Sequence, residues 1–186
     1  PSIGYVRQLS AEGVLSLDPT IIIGEDDMGP PSVLDQIKRT QVEITIIPED
    51  HNIEGILKKI ECVSSVIGIN SEAIINNTII PKISKLNQLI QEGKKKKIIY
   101  ILGMQSGSPL VAGNNTSGDG LINISGGINP FSSFEGWKPV GTESIIEASP
   151  DLIIISERGL NGFGTMEDLR MHPALYLTPA SQNNKI

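Results

Sequence analysis

The chain has 186 residues, 39% of them hydrophobic and 19% charged, a composition typical of a globular protein with one sizeable core or two small ones. A formal net charge of −6 argues against a nucleic-acid partner, because phosphate binding requires a basic face. Cys62 stands alone, which excludes an intrachain disulfide and a cysteine metal cluster. No apolar run approaches the roughly 18 residues of a membrane helix, and this stretch shows no signal-peptide pattern, as would hold equally for a mature or truncated exported domain. The chain enters its first motif within a few residues and stops at Asn184-Lys185-Ile186, where a strand is starting. The expectation is therefore a piece lacking material at both ends.

Gly4-Tyr5-Val6-Arg7 reads as an extended segment. Ser10 is a plausible cap for a helix of about two turns that Pro19 stops. Ile21 to Ile23 is a continuous apolar run, expected of a strand buried on both faces. The loop from Glu25 to Pro31 follows at the carboxyl end of that strand, where open α/β sheets bind ligands. A helix over Ser32–Arg39, a strand over Val42–Ile47 and a helix over Ile53–Ser65 continue the alternation. That β-α-β-α order points to an α/β fold with parallel sheets.

Ser71 to Gly93 is the longest helical pattern, with Ile74, Ile75, Ile79, Ile83, Leu86 and Ile90 in period and a kink expected at Pro81. The lysines 94–97 read as a solvated helix end whose cations suit the negative pole of the dipole. Ile98 to Leu102 is the next strand. The segment from Gly103 to Gly120 reads as a Gly-rich loop, yet it lacks the spacing of either nucleotide-binding glycine motif. Asn129 to Trp137 is loop, and Thr142 to Ile155 is a helix followed by a strand. Ser156 to Gly164 is a further carboxyl-end loop, Met166 to Met171 a short helix, and Pro173 begins the final turn.

The helix, Pro break and apolar strand around Glu12 and Pro19 recur around Glu143 and Pro150 at the same separation. The copies lie too far apart for a solenoid and suit two lobes of one design. A first lobe is expected over residues 1–69, a connecting helix over 70–94 and a second lobe over 95–186.

Tyr5 and Arg7, two apart on an extended segment, point the same way. A guanidinium beside a phenol favours phenolate, a hard anionic ligand suited to ferric iron. On spacing alone the stronger reading is plainer: a tyrosine at a strand end with its hydroxyl hydrogen-bonded. His51 and His172 have no partners at metal-binding spacing and read as structural or exposed. Neither sits beside a nucleophile in a recognised catalytic order, so the chain is not expected to be an enzyme.

The run from Gly4 to Leu17 resembles the signature of the haem-binding periplasmic proteins that serve bacterial ABC haem importers. The likeness continues through Met28-Gly29-Pro30-Pro31, Pro109 to Gly113, Gly126-Gly127-Ile128-Asn129 and Thr178-Pro179-Ala180, which spans nearly the whole chain. It implies two Rossmann-like lobes joined by a single long helix, with ferric haem b captured in an interlobe cleft and delivered to an ABC permease dimer. It also implies a monomeric, periplasmic or membrane-anchored extracytoplasmic protein that does not insert into the membrane.

The resemblance makes Tyr5 the axial iron ligand and Arg7 the cation that steadies it. Some relatives add a histidine near the end of the second lobe's first strand. Here that place reads Gly103-Met104-Gln105-Ser106, so Tyr5 is expected to be the sole protein ligand. Met104 is expected against the porphyrin, a thioether being a poor partner for ferric iron, and Met28 is counted among the ligand contacts. Arg158 is the candidate cation for a haem propionate, the plainer reading being a surface arginine. Glu12 and Glu143, at matching helix starts, are assigned to docking on the permease, although the helix dipole alone would account for a carboxylate there. Two alternatives stand beside this reading. One is a ferric siderophore or cobalamin binder of the same fold, and the other is a Rossmann-type nucleotide-dependent enzyme.

Overall fold

The computed structural model describes residues 3–186. They form two compact units, one made of residues up to Asp50 together with Glu54–Ile79, the other of His51–Ile53 with Ile80–Ile186.

In the first unit Ser10 caps α1 (Ala11–Leu15) as the sequence suggests, its Oγ accepting from Gly13 N–H at 2.9 Å. β1 (Ile21–Glu25) and β2 (Glu43–Ile47) pair in parallel, with α2 (Pro31–Lys38) between them in sequence, Pro31 occupying a first-turn position where its missing N–H is harmless. Leu9, Val14, Met28 and Ile37 are the buried centre, with Ile22, Val33, Leu34 and Ile44 packed on it. β1 is half-buried along its length rather than enclosed on both faces, since β2 is its sole partner among the described residues. α3 (Ile53–Val66) follows, with Lys59 reaching Glu25 at 2.8 Å.

The expected long helix is continuous but not uniform. α4 (Glu72–Ile74) runs through a π-helical stretch, Ile75–Ile79, into α5 (Ile80–Glu92). Pro81 supplies no N–H and its ring would strike the carbonyl four residues back in an α-helix. Widening the preceding turn moves that carbonyl aside, so a π segment stands where a simple kink is expected. The boundary between the two units falls at its end, between Ile79 and Ile80.

The second unit is built on a four-stranded sheet in the order β5-β4-β3-β6. β3 (Ile98–Gln105) pairs in parallel with β6 (Leu152–Ile155) and antiparallel with β4 (Ser108–Ala112), which in turn pairs antiparallel with β5 (Trp137–Pro139). The fold is α/β as expected, but this sheet is mixed. The run from Gly103, expected to be loop, contains the end of β3, a turn at Ser106 and Gly107 with φ of 50° and 80°, and all of β4. Two successive positive φ values make the tight hairpin turn that matches strand twist. The Gly-rich stretch after β4 leads into α6 (Ser117–Ile124), capped by Thr116. Gly118 and Gly120 are buried there, close to Ala112, Tyr100 and His51, so the glycines serve packing rather than a phosphate.

The recurrent helix and strand are α7 (Thr142–Ala148) with β6, matching α1 with β1. The match extends to the backbone, because Asp18 and Ser149, each just before the proline, are both left-handed with φ of 48° and 50°. Ile99, Ile101, Val111, Ile145, Ile153, Leu169 and Leu175 are fully buried in this unit's core. α8 (Glu157–Leu160), α9 (Met166–Met171) and α10 (Pro179–Gln182) complete the unit. Beyond α10 the chain returns to β6, Ile153 N–H donating to the Lys185 carbonyl at 3.0 Å.

Candidate functional site

In the first unit the site is organised by the loop that leaves β1. Gly29 N–H donates to the Val6 carbonyl at 3.0 Å and Leu9 N–H to the Gly29 carbonyl at 2.9 Å, tying the first segment to that loop. Leu9 is buried and fixes the segment further. Tyr5 has extended φ and ψ, but Val6–Gln8 is a single 3-10 turn closed by Gln8 N–H on the Tyr5 carbonyl at 2.8 Å. The fully extended geometry expected from the sequence is therefore replaced. Tyr5 and Arg7 still meet, Arg7 Nη1 lying 3.2 Å from Tyr5 Oη, because the tight turn brings the two side chains together.

Asp27, in the loop after β1 and not singled out by the sequence, completes the group. Arg7 Nε and Nη2 both donate to its Oδ2, at 2.7 and 2.5 Å. The hydrogen bond and then the charge of Asp27, followed by Tyr5, hold the Arg7 guanidinium above its ordinary pKa. An exposed arginine at the carboxyl end of β1 needs a counter-charge within reach, and that requirement was the available signal. Tyr5 is 51% exposed, so the residue is accessible rather than sealed in the core.

Met28, expected to contact the ligand, does not belong to this group. It is 7% exposed, packs in the first unit's core and lies over Gly24. Gly24 carries no side chain, and the flexible thioether fills the space that a Cβ would take. Met28 supports the loop from beneath.

In the second unit Met104 and Arg158 come to the same end of the sheet. Met104 is half-buried at the carboxyl end of β3, next to Gly162. Arg158 is exposed on α8, which starts where β6 ends and packs its Gly159 against Gly103. Ser156 Oγ accepts from Gly159 N–H at 3.0 Å and so caps α8. His172 is structural, as read: its Nδ1 accepts from Ala174 N–H at 3.2 Å and its ring meets Phe163 edge-on, while burial lowers its pKa.

Glu12 and Glu143 are both exposed and occupy the second position of α1 and α7 respectively. Near α7 lies a pocket of about 560 Å³, lined by Phe131, Phe134, Lys138, Val140, Ser144 and Glu147 among others. None of the predicted site residues lines it. Among the described residues no group of three or more His, Cys, Asp or Glu is placed to hold a metal, and no helix is long and apolar enough to cross a membrane.

The chain matches the periplasmic binding protein family over residues 1–186. It belongs to that family. Among solved structures it is similar to the periplasmic haem-binding protein RhuT from Roseiflexus sp. RS-1, with 32% identity and a TM-score of 0.90, covering 100% of this chain and 72% of that one. It is similar also to the periplasmic haem-binding protein BhuT in complex with two haems, at 28% identity and a TM-score of 0.84, over 100% of this chain and 71% of that one. HutB of Vibrio cholerae, a periplasmic haem-binding protein, shares 31% identity with a TM-score of 0.82, over 100% and 73% of the two chains. No curated protein sequence matches significantly. The family and these neighbours are binding proteins rather than enzymes, and the family is periplasmic.

Proposed function

We propose that this chain is a periplasmic substrate-binding protein that takes up ferric haem, with Tyr5 as the protein's ligand to iron, and delivers it to an ABC-type permease without acting as an enzyme. The observation that carries the reading is a phenol on an exposed residue with a guanidinium N–H donating to its oxygen at 3.2 Å. A donor in that place stabilises negative charge on the oxygen when the phenol binds a ferric ion. The similarity to three solved haem-binding proteins over the full chain supports haem over the siderophore and cobalamin alternatives.

Haem is the cargo of such a protein rather than a resident cofactor. Arg158, exposed on α8, is proposed as the cation for a propionate, and Met104 as an apolar contact for the porphyrin. Glu12 and Glu143, at equivalent helix positions, are proposed as the permease-docking carboxylates, since two matched charges suit a two-fold partner. The test is absorption titration of the protein with ferric haemin, in parallel with cobalamin and a ferric siderophore. Saturable change with haemin alone supports the reading. Saturation by either of the others with no haemin response would reject it.

A further inference from the structure

We infer that Asp27 is a positioning residue for the iron ligand, holding the Arg7 guanidinium in the one orientation that presents a donor to Tyr5. The inference rests on the assignment of Tyr5 given above and extends it to a residue that does not itself meet the phenol.

A guanidinium is a rigid planar fork, so its orientation is decided once one edge is fixed. Arg7 Nε and Nη2 form that edge, and both donate to Asp27 Oδ2. The remaining terminal nitrogen, Nη1, is thereby turned away from Asp27 and lies 3.2 Å from Tyr5 Oη. Left to itself the Arg7 side chain, 61% exposed, would sample many rotamers and hold this contact only part of the time.

Asp27 is the better-anchored partner, at 29% exposure on a loop whose Gly29 is hydrogen-bonded to Val6 and Leu9. Its second oxygen, Oδ1, is buried with no hydrogen-bond partner among the described residues. A buried acceptor left unpaired is costly and calls for a reason. Orientation of Arg7 is one, because among the described residues the side-chain hydrogen bonds of the carboxylate run to that guanidinium.

The carboxylate also acts in the opposite sense. Its negative charge opposes a phenolate and an anionic ligand, so removing it would strengthen haem binding if repulsion dominated. Repulsion is weakened by solvent and by the intervening guanidinium, whereas the clamp acts through direct contacts. Anchoring is expected to win.

The first test needs no haem. In protein labelled with ¹⁵N-arginine, the Arg7 Nε–H resonance, identified by its loss in Arg7→Lys, should be shifted and protected. Asp27→Asn should abolish that signature and Asp27→Glu should restore much of it. The second test follows transfer of ferric haemin to apomyoglobin by stopped flow. Asp27→Asn should release haemin about fivefold faster than wild type, with Asp27→Glu in between. An Asp27→Asn protein that keeps the Arg7 signal, or loses it and releases haemin at the wild-type rate or more slowly, overturns the inference. Tyr5→Phe separates the two claims: wild-type binding by that variant defeats the ligand assignment, while the haem-free arginine signal still decides whether Asp27 holds Arg7.

Discussion

Gly159→Ala tests how the second unit presents Arg158. A Cβ at this position would lie 2.5 Å from the Leu102 carbonyl oxygen and 3.1 Å from Ile155 Cγ1. An ordinary carbon–oxygen contact is about 3.3 Å, so α8 and the end of β3 must separate by about 0.8 Å. The neighbour is backbone and cannot rotate aside, and Leu102 sits where the β3–β4 register shifts. Overpacking of this kind costs about 1–3 kcal/mol. Alanine recovers up to about 1 kcal/mol through helix propensity, less in a helix as short as α8. With about 0.5 kcal/mol recovered, the net cost is about 0.5–2.5 kcal/mol, which in a chain of this size lowers Tm by roughly 1–10 °C. Melting followed by circular dichroism measures it, and Gly159→Val should fall further. A Gly159→Ala protein that melts at or above the wild-type temperature would refute the claim that this glycine lets α8 close onto β3.

Charge reversal at Glu12 and Glu143 together should leave haemin titration curves unchanged while reducing haem uptake through a reconstituted permease by about tenfold or more; equal uptake would remove both residues from docking. Reduction should loosen the complex, because phenolate binds ferrous ion less strongly than ferric. Anaerobic dithionite should therefore speed haem release, and an unchanged off-rate would count against phenolate ligation. Burial holds the His172 pKa below its ordinary 6.5, so the unfolded chain takes up a proton there before the folded one does. Stability from this group is complete above that value and declines as pH falls below it. Urea unfolding compared at about pH 7.5 and pH 5.5 should show the loss, and His172→Gln should remove this part of the pH dependence.

Much of this architecture was readable from local signals. Ser10 and Pro19 bracket α1, the helix expected from Ser32 is α2 with Pro31 as its first residue, and the apolar run after Pro150 is β6, because caps and prolines act over a few residues and carry their own punctuation. β4 was hidden. Pro109 and the surrounding Gly and Ser residues give it the composition of a loop, and only pairing on both sides with β3 and β5 makes it a strand. Pro81 announced a disturbance but not its form, since a π turn and a kink relieve the same clash.

The site divides along the same line. Tyr5 and Arg7 were paired by their spacing and assigned to iron only through the family resemblance, and a 3-10 turn rather than a strand brings them together. Asp27 and Met28 are adjacent in sequence and face opposite ways, one towards Arg7 and the other into the core over Gly24. Nothing in an irregular loop assigns direction to successive side chains; that comes from the tertiary contacts of Gly29 with Val6 and Leu9.

The central claim is that the Tyr5 oxygen is the protein's bond to iron. It is tested most directly by titrating wild type and Tyr5→Phe with ferric haemin and following the Soret band. A saturable shift is expected in the wild type and its loss in the variant, with both proteins equally folded by circular dichroism. Superimposable titrations would contradict it.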